Sequence, residues 1–230
     1  MSLVKQSVHT LKVRITRTLH LDYLLSLPQG YETESGARWP LILFLHGIGE
    51  RGTHPESLKK HGIPKVVEEG KKLPFITVSP QCPPLTTWGD HIDALDALLH
   101  EVVATYAVDT ARIYLTGLSM GGYGTWYLAT LYPHRFAAIA PICGGGSTAY
   151  GFPQRVCVLK DVPVWVFHGA QDTTVPLLES EVLVKTLRRC GGQVRFTVYP
   201  EAGHDAWTET YANPALYTWF LEHRLKEEEE

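Results

Sequence analysis

No stretch of this 230-residue chain carries the roughly 20 consecutive apolar residues that would span a bilayer. Charge of one sign is equally scarce. A formal net charge of −3 gives no electrostatic footing for nucleic acid or an anionic membrane as partner. The opening "MSLVKQSVHTLKVRITRT" lacks the uninterrupted apolar core of a secretory signal, so a cytoplasmic location is expected, with secretion the alternative if a leader has been removed. The four cysteines, Cys82, Cys143, Cys157 and Cys190, are widely spaced and form no C-x-x-C. Four buried or half-buried thiols are the expectation, one disulfide the alternative. The eleven histidines show neither H-E-x-x-H nor cysteine–histidine zinc spacing, so no metal is expected, and no other cofactor. Repeats, low-complexity tracts and long linkers are absent too. One domain over residues 1–230 is expected, with an acidic tail at 226–230.

What is present is alternation. "LILFL" (41–45), "FITVS" (75–79), "RIYLT" (112–116), "FAAIA" (136–140), "VWVF" (164–167) and "VRFTVY" (194–199) read as strands, several apolar on both faces. That pattern suits a mostly parallel sheet covered by helices on both sides. Between the strands, Ile92, Leu95, Leu99, Val102, Val103 and Tyr106 recur at helical steps; Leu178, Val182, Val184 and Leu187 form a looser stripe. Asn213 before Pro214 reads as a helix cap followed by proline at the first helical position, with Leu216, Trp219 and Phe220 facing inward. The early segment 11–31 alternates and ends at a turn, which predicts an antiparallel hairpin on the sheet's edge. The fold class expected is α/β with crossover helices.

Near the middle stands "TGLSMGGYGTW", with Ser119 between strand-like "RIYLTG" and helix-like "MGGYGTWYLATLY". Strand, turn and helix are the context in which a G-x-S-x-G serine is held out on a sharp elbow. Gly117 and Gly121 make room for the reversal, and the Met120 amide begins the helix. A serine hydroxyl needs a base. "VFHGAQDTTVP" places Asp172 after one strand and "VYPEAGHDAW" places His204 after the next, in the order serine, acid, histidine. With "LHGIGERG", these motifs resemble the α/β-hydrolase superfamily, in its small carboxylesterase, thioesterase and dienelactone-hydrolase-like branch, over nearly the whole chain from about Leu41.

The resemblance implies an α/β-hydrolase fold in which Ser119 is the nucleophile, His204 the general base and then acid, and Asp172 the group orienting His204. The oxyanion hole would be formed by the Met120 and Ile48 amides, with Gly47 supplying the turn. His46 is expected to shape that loop and His168 to pack or hydrogen-bond under Asp172. Asp205 and Glu201 are weak rivals for the acid. Glu50 and Arg51 are expected to pair locally. Trp88 and Trp207 are candidates for the substrate wall alongside Gly47, with plain packing equally open, and the glycine-rich 143–150 is a candidate border. Trp126 is expected in the core. The short 140–164 connection leaves no room for a large cap, so a short-chain carboxylesterase acting on a small ester is the expected function. Feruloyl or acetyl-polysaccharide esterase is the near alternative. The branch's thioesterases carry glutamine where Met120 stands, and its dienelactone hydrolases carry cysteine where Ser119 stands. A non-catalytic binding protein on the same fold is the reading from another class.

Overall fold

The computed structural model describes residues 6–14, 16, 18, 20–32 and 36–226, so all but Lys226 of the acidic tail lies outside them. Seven strands form one open sheet: β1 (Tyr23–Ser26), β2 (Trp39–Leu45), β3 (Ile76–Pro80), β4 (Val108–Leu118), β5 (Ala138–Ile142), β6 (Val164–Gly169) and β7 (Val194–Tyr199). Their order is β1-β3-β2-β4-β5-β6-β7, and every pairing is parallel except β1 with β3.

Because successive side chains of a strand point to opposite faces, an all-apolar strand feeds two cores at once. Leu41, Leu43 and Leu45 of β2 pack on one side with α2 (Ile92–Thr105), α3 (Met120–Leu131) and α4 (Leu177–Arg189). Ile42 and Phe44 pack on the other with α1 (Gly62–Glu68), α5 (Trp207–Ala212) and α6 (Pro214–Leu221). Each fully buried aliphatic side chain contributes roughly 1.5–3 kcal/mol. The cap expected at Asn213 is formed: its side chain accepts the Ala215 N–H at 2.9 Å, worth about 1 kcal/mol.

Three expectations need correction. Among the described residues the expected edge hairpin is the single strand β1, which pairs with β3 rather than with a sequence neighbour; residues 15, 17 and 19 of the segment lie outside them, and no described residue of 6–22 lies in a strand. Alternation marks a strand-compatible sequence but not its partner. On α4, Leu178 and Val182 face solvent, and the inward stripe is Ser180, Leu183, Val184 and Leu187. A serine at its first position hid the register. Finally, Cys157 and Cys190 form a disulfide, leaving Cys82 and Cys143 as buried free thiols.

That disulfide ties the β5–β6 connection to the end of α4 across a sequence separation of 33. Closing such a loop in the unfolded chain is worth about 3–4 kcal/mol. Replacing both cysteines by serine should therefore lower the melting temperature by roughly 6–12 °C in differential scanning calorimetry. An unchanged transition would show that the bond adds nothing to stability.

The β5–β6 connection holds only two short 3-10 helices, Thr148–Tyr150 and Gln154–Leu159, so no large cap covers the sheet among the described residues. No described helix is long and apolar enough to cross a membrane.

Candidate active site

Because β4 to β7 run parallel, the loops after them gather at one edge of the sheet, where ligands bind in open α/β folds. Ser119 sits between β4 and α3 with φ 53° and ψ −118°, a left-handed conformation that costs a non-glycine residue about 1–3 kcal/mol. The strain persists because the surroundings dictate it. A side chain at Gly121 would collide with the Leu45 carbonyl, and one at Gly117 with the Gly121 carbonyl. The Ser119 N–H donates to the Ile142 carbonyl at 3.0 Å. Although Ser119 occupies the N-cap position of α3, its side chain makes no cap hydrogen bond.

Its Oγ instead lies 2.9 Å from His204 Nε2 on the loop after β7, and His204 Nδ1 lies 2.7 Å from Asp172 Oδ2 on the loop after β6. A carboxylate only accepts, so Nδ1 carries the proton and Nε2 of the neutral ring is free to accept from the hydroxyl. The other Asp172 oxygen, Oδ1, accepts the Thr174 and Val175 amides at 2.8 and 2.9 Å. Burial alone would push the Asp172 carboxyl up; hydrogen bonds from His204, Val175 and Thr174 outweigh it and hold the group below its usual range. This set is an imidazole fixed in one tautomer against a buried serine hydroxyl, suited to moving one proton off that oxygen and back.

Met120 and Ile48 are the first residues of α3 and of the 3-10 helix Ile48–Glu50, positions whose amides have no carbonyl behind them. The loop carrying Ile48 approaches Ser119 closely: a Cβ on Gly47 would lie 3.7 Å from the Ser119 Cβ and 2.8 Å from Leu118 Cδ1. Arg51 pins this loop by donating to the Ile48 carbonyl at 3.1 Å and to the Thr86 carbonyl at 3.0 Å. The Glu50–Arg51 pair expected from sequence does not form; the buried Glu50 carboxylate faces His46 at 3.9 Å and His61 at 3.8 Å. His46 is a structural post. Its Nδ1 donates to the Gly47 carbonyl, its Nε2 accepts the Cys82 amide at 2.9 Å, and burial lowers its pKa to about 4, so the ring stays neutral.

The two tryptophans part company. Trp88 is 1% exposed and donates its Nε1–H to the His46 carbonyl at 3.0 Å. It packs beneath the loop and does not reach a substrate wall. Trp207 is half-buried, edge-on to His204 at 5.2 Å and to His61 at 5.6 Å. Trp126 is fully buried, as expected. Among the described residues, Asp205 accepts from the Thr208 amide and hydroxyl and Glu201 accepts from Gln171, so neither rivals Asp172. In the 143–150 loop, Gly144 packs on Gly122 of α3 and Tyr150 stacks on Tyr127 at 4.3 Å. Among the described residues, the one grouping of metal-ligand type is Cys143, Asp172 and His204, and two of those three are already bonded to each other.

Sequence reasoning missed Ser180 and His61. Ser180 lies in the first turn of a helix, where a serine attracts no notice, and its side chain contacts His168 and Gly144. His61 carries no motif at all, and only the folded loop brings it to Glu50.

A family model described as phospholipase/carboxylesterase matches residues 88–214. The bifunctional acetylxylan esterase/xylanase XynS20E of Neocallimastix patriciarum is 28% identical over 189 residues, 78% of this chain and 26% of that protein. A putative carboxymethylenebutenolidase of Methylorubrum extorquens is 34% identical over 133 residues, 54% of this chain and 46% of that one. The crystal structure of a thermostable esterase superposes with a TM-score of 0.75 at 34% identity, covering 89% of this chain and 59% of the other. The chain thus spans about a quarter to three-fifths of the length of these relatives. Since the matched segment takes in more than half of the sequence, including Ser119, Asp172 and His204, the chain belongs to the phospholipase/carboxylesterase family of α/β hydrolases.

Proposed function

We propose that this protein hydrolyses carboxylic esters through an acyl-serine intermediate. The observation that carries this reading is the continuous hydrogen-bond chain from Asp172 through His204 to Ser119 Oγ at the carboxyl edge of the sheet. His204 takes the Ser119 proton as Oγ attacks the ester carbonyl, and the oxyanion rests on the Met120 and Ile48 amides. Imidazolium then protonates the leaving alcohol. Water, deprotonated by the same ring, releases the acid. General-base help contributes about 10²–10⁴-fold and one oxyanion donor about 3 kcal/mol.

With no large cap among the described residues, the site favours short acyl chains. The half-buried Trp207 beside His204 offers an aromatic wall, and Gly47 keeps the opposite wall close to Ser119. A second reading, release of acetyl groups from polysaccharide, is favoured by likeness over most of the chain to a protein named as an acetylxylan esterase. No nucleic acid or membrane partner is proposed. The Cys157–Cys190 disulfide favours secretion over the cytoplasm, because such bonds persist in oxidising compartments.

A panel of aryl esters from acetyl to palmitoyl, with methyl ferulate, acetylated xylan and an acyl thioester, tests the substrate. The highest kcat/KM is expected at two to four acyl carbons, by roughly 10-fold or more over palmitoyl, since an open site leaves a long chain in water. An optimum at palmitoyl would overturn the short-chain reading. Failure of a fluorophosphonate to label Ser119, with no ester turned over, would overturn the hydrolase reading itself.

A further inference from the structure

The Asp172 carboxylate has a second imidazole behind it. His168, the penultimate residue of β6, is fully buried, and its Nε2 lies 3.3 Å from Asp172 Oδ2, the oxygen that accepts from His204. The same Nε2 lies 2.9 Å from the Val175 carbonyl, and Nδ1 lies 2.8 Å from Ser180 Oγ on α4. Ser180 Oγ in turn lies 2.9 Å from the Gly144 carbonyl, in the loop after β5 that packs on α3.

Counting protons fixes one end of this chain. Nε2 faces two groups that only accept, a carbonyl and a carboxylate, so it must carry a hydrogen; that hydrogen goes to the Val175 carbonyl at 2.9 Å, with Asp172 Oδ2 beside it at 3.3 Å. Ser180 has a single hydroxyl hydrogen. If it goes to Nδ1, the ring is neutral; if it goes to Gly144, Nδ1 must donate and the ring is an imidazolium. In either state a protonated His168 Nε2 lies 3.3 Å from Asp172 Oδ2. Both side chains are fully buried, so a polar partner lost from this oxygen leaves a buried acceptor less well satisfied.

Resting on the acyl-serine reading above, we propose that His168, itself held by Ser180, is a positioning residue that fixes the Asp172 carboxylate and, through it, the aim of His204. The bonds from Thr174 and Val175 hold Oδ1; among the described residues Oδ2 accepts from His204, and His168 Nε2 lies against the same oxygen at 3.3 Å. Without His168 the carboxylate is free to turn about its Oδ1 anchor, and His204 turns with it. The other titratable groups facing this pair are the buried Cys143 thiol and the Tyr123 hydroxyl, both of which burial keeps protonated. Ser119 stands at the far side of His204.

The sign of one consequence does not depend on which state the ring adopts. A donor to Oδ2, neutral or cationic, spreads the carboxylate's charge and weakens its pull on an imidazolium at 204. Removing that donor therefore makes His204 easier to protonate. His168→Leu should lower kcat by roughly 10- to 100-fold, the cost of a misaimed base, with KM little changed. Its acid limb in kcat/KM should move to higher pH by about half a unit or more. His168→Gln, which fills the space and keeps an N–H toward Asp172, should restore most of the rate and return the acid limb toward its original place. If the leucine variant does not fold, Ser180→Ala, which releases Nδ1, should show the same two changes on a smaller scale. A merely structural role would lower the melting temperature and leave the acid limb where it was. A folded His168→Leu or Ser180→Ala variant with the wild-type acid limb and kcat overturns the inference. Labelling of the wild type by a fluorophosphonate is run alongside: absence of label at Ser119 indicts the hydrolase reading, whereas label with unaltered variants indicts only the role of His168.

Discussion

Ser119→Ala is expected to lower kcat on an activated aryl ester by about 10⁶-fold while the fold survives. The size follows from what Oγ does. It is the atom that would bond to the acyl group, and among the described residues its side-chain hydrogen bond is to His204 at 2.9 Å. Survival of the fold follows from what Oγ does not do: it caps no helix turn, and the hydrogen bond that anchors the elbow comes from the backbone N–H to Ile142. Alanine keeps the Cβ, so the strain at φ 53° is carried over unchanged. The melting temperature should stay within a few degrees of wild type, since a lost partly exposed hydroxyl contact is worth about 1 kcal/mol. A double variant with His204→Ala should be no slower than either single one, because the two groups act as a unit. Active-site titration with a fluorophosphonate gives the count of competent sites, so that trace contamination is separated from residual activity. If the alanine protein turned over within tenfold of wild type, the covalent mechanism would be wrong.

Which parts of this site could be read from the chain depends on the range of the forces that set them. The elbow was legible because its constraint is local: residues 117 to 121 reverse direction within one turn, and steric room at two of them forces glycine. The meeting of Asp172 and His204 beside Ser119 was legible because loops after consecutive parallel strands must emerge on the same edge. The sheet itself was legible wherever a strand is buried on both faces, as in β2, and failed at the half-buried edge, where the alternating 11–22 segment carries no information about its partner. Trp88 illustrates the other limit. An aromatic residue near the site in sequence can line it or lie beneath it, and only the packing of His46 under the Gly47 loop decides for burial. The Cys157–Cys190 bond, Glu50 facing His61 and Ser180 supporting His168 all join segments distant in the chain. None of them has a spacing to betray it.

Asp172→Asn should lower kcat near neutral pH by about 10⁴-fold, the scale on which a triad loses function when its histidine is held in the wrong tautomer. The surroundings of Asp172 dictate how the new amide must sit. Two backbone N–H groups, from Thr174 and Val175, point at Oδ1, so the amide keeps its oxygen there and places its NH₂ where Oδ2 was. That NH₂ then meets His204 Nδ1 at hydrogen-bond distance and His168 Nε2 beyond it, both donors in the native arrangement. To avoid opposing hydrogens, His204 must move its proton to Nε2, and the atom that should accept from Ser119 becomes a second donor. The substitution also removes a titrating group whose folded-state value lies below its ordinary one. A depressed carboxyl stabilises the native state fully above its unfolded value of about 3.9 and loses that contribution as pH falls through the lower folded value. Acid unfolding of the asparagine variant should accordingly be less steep below about pH 4 than that of wild type, as followed by circular dichroism. Activity and acid stability thus report on the same carboxylate by independent routes. An asparagine variant that kept its turnover while its acid unfolding flattened would separate them, leaving Asp172 as a structural anion only.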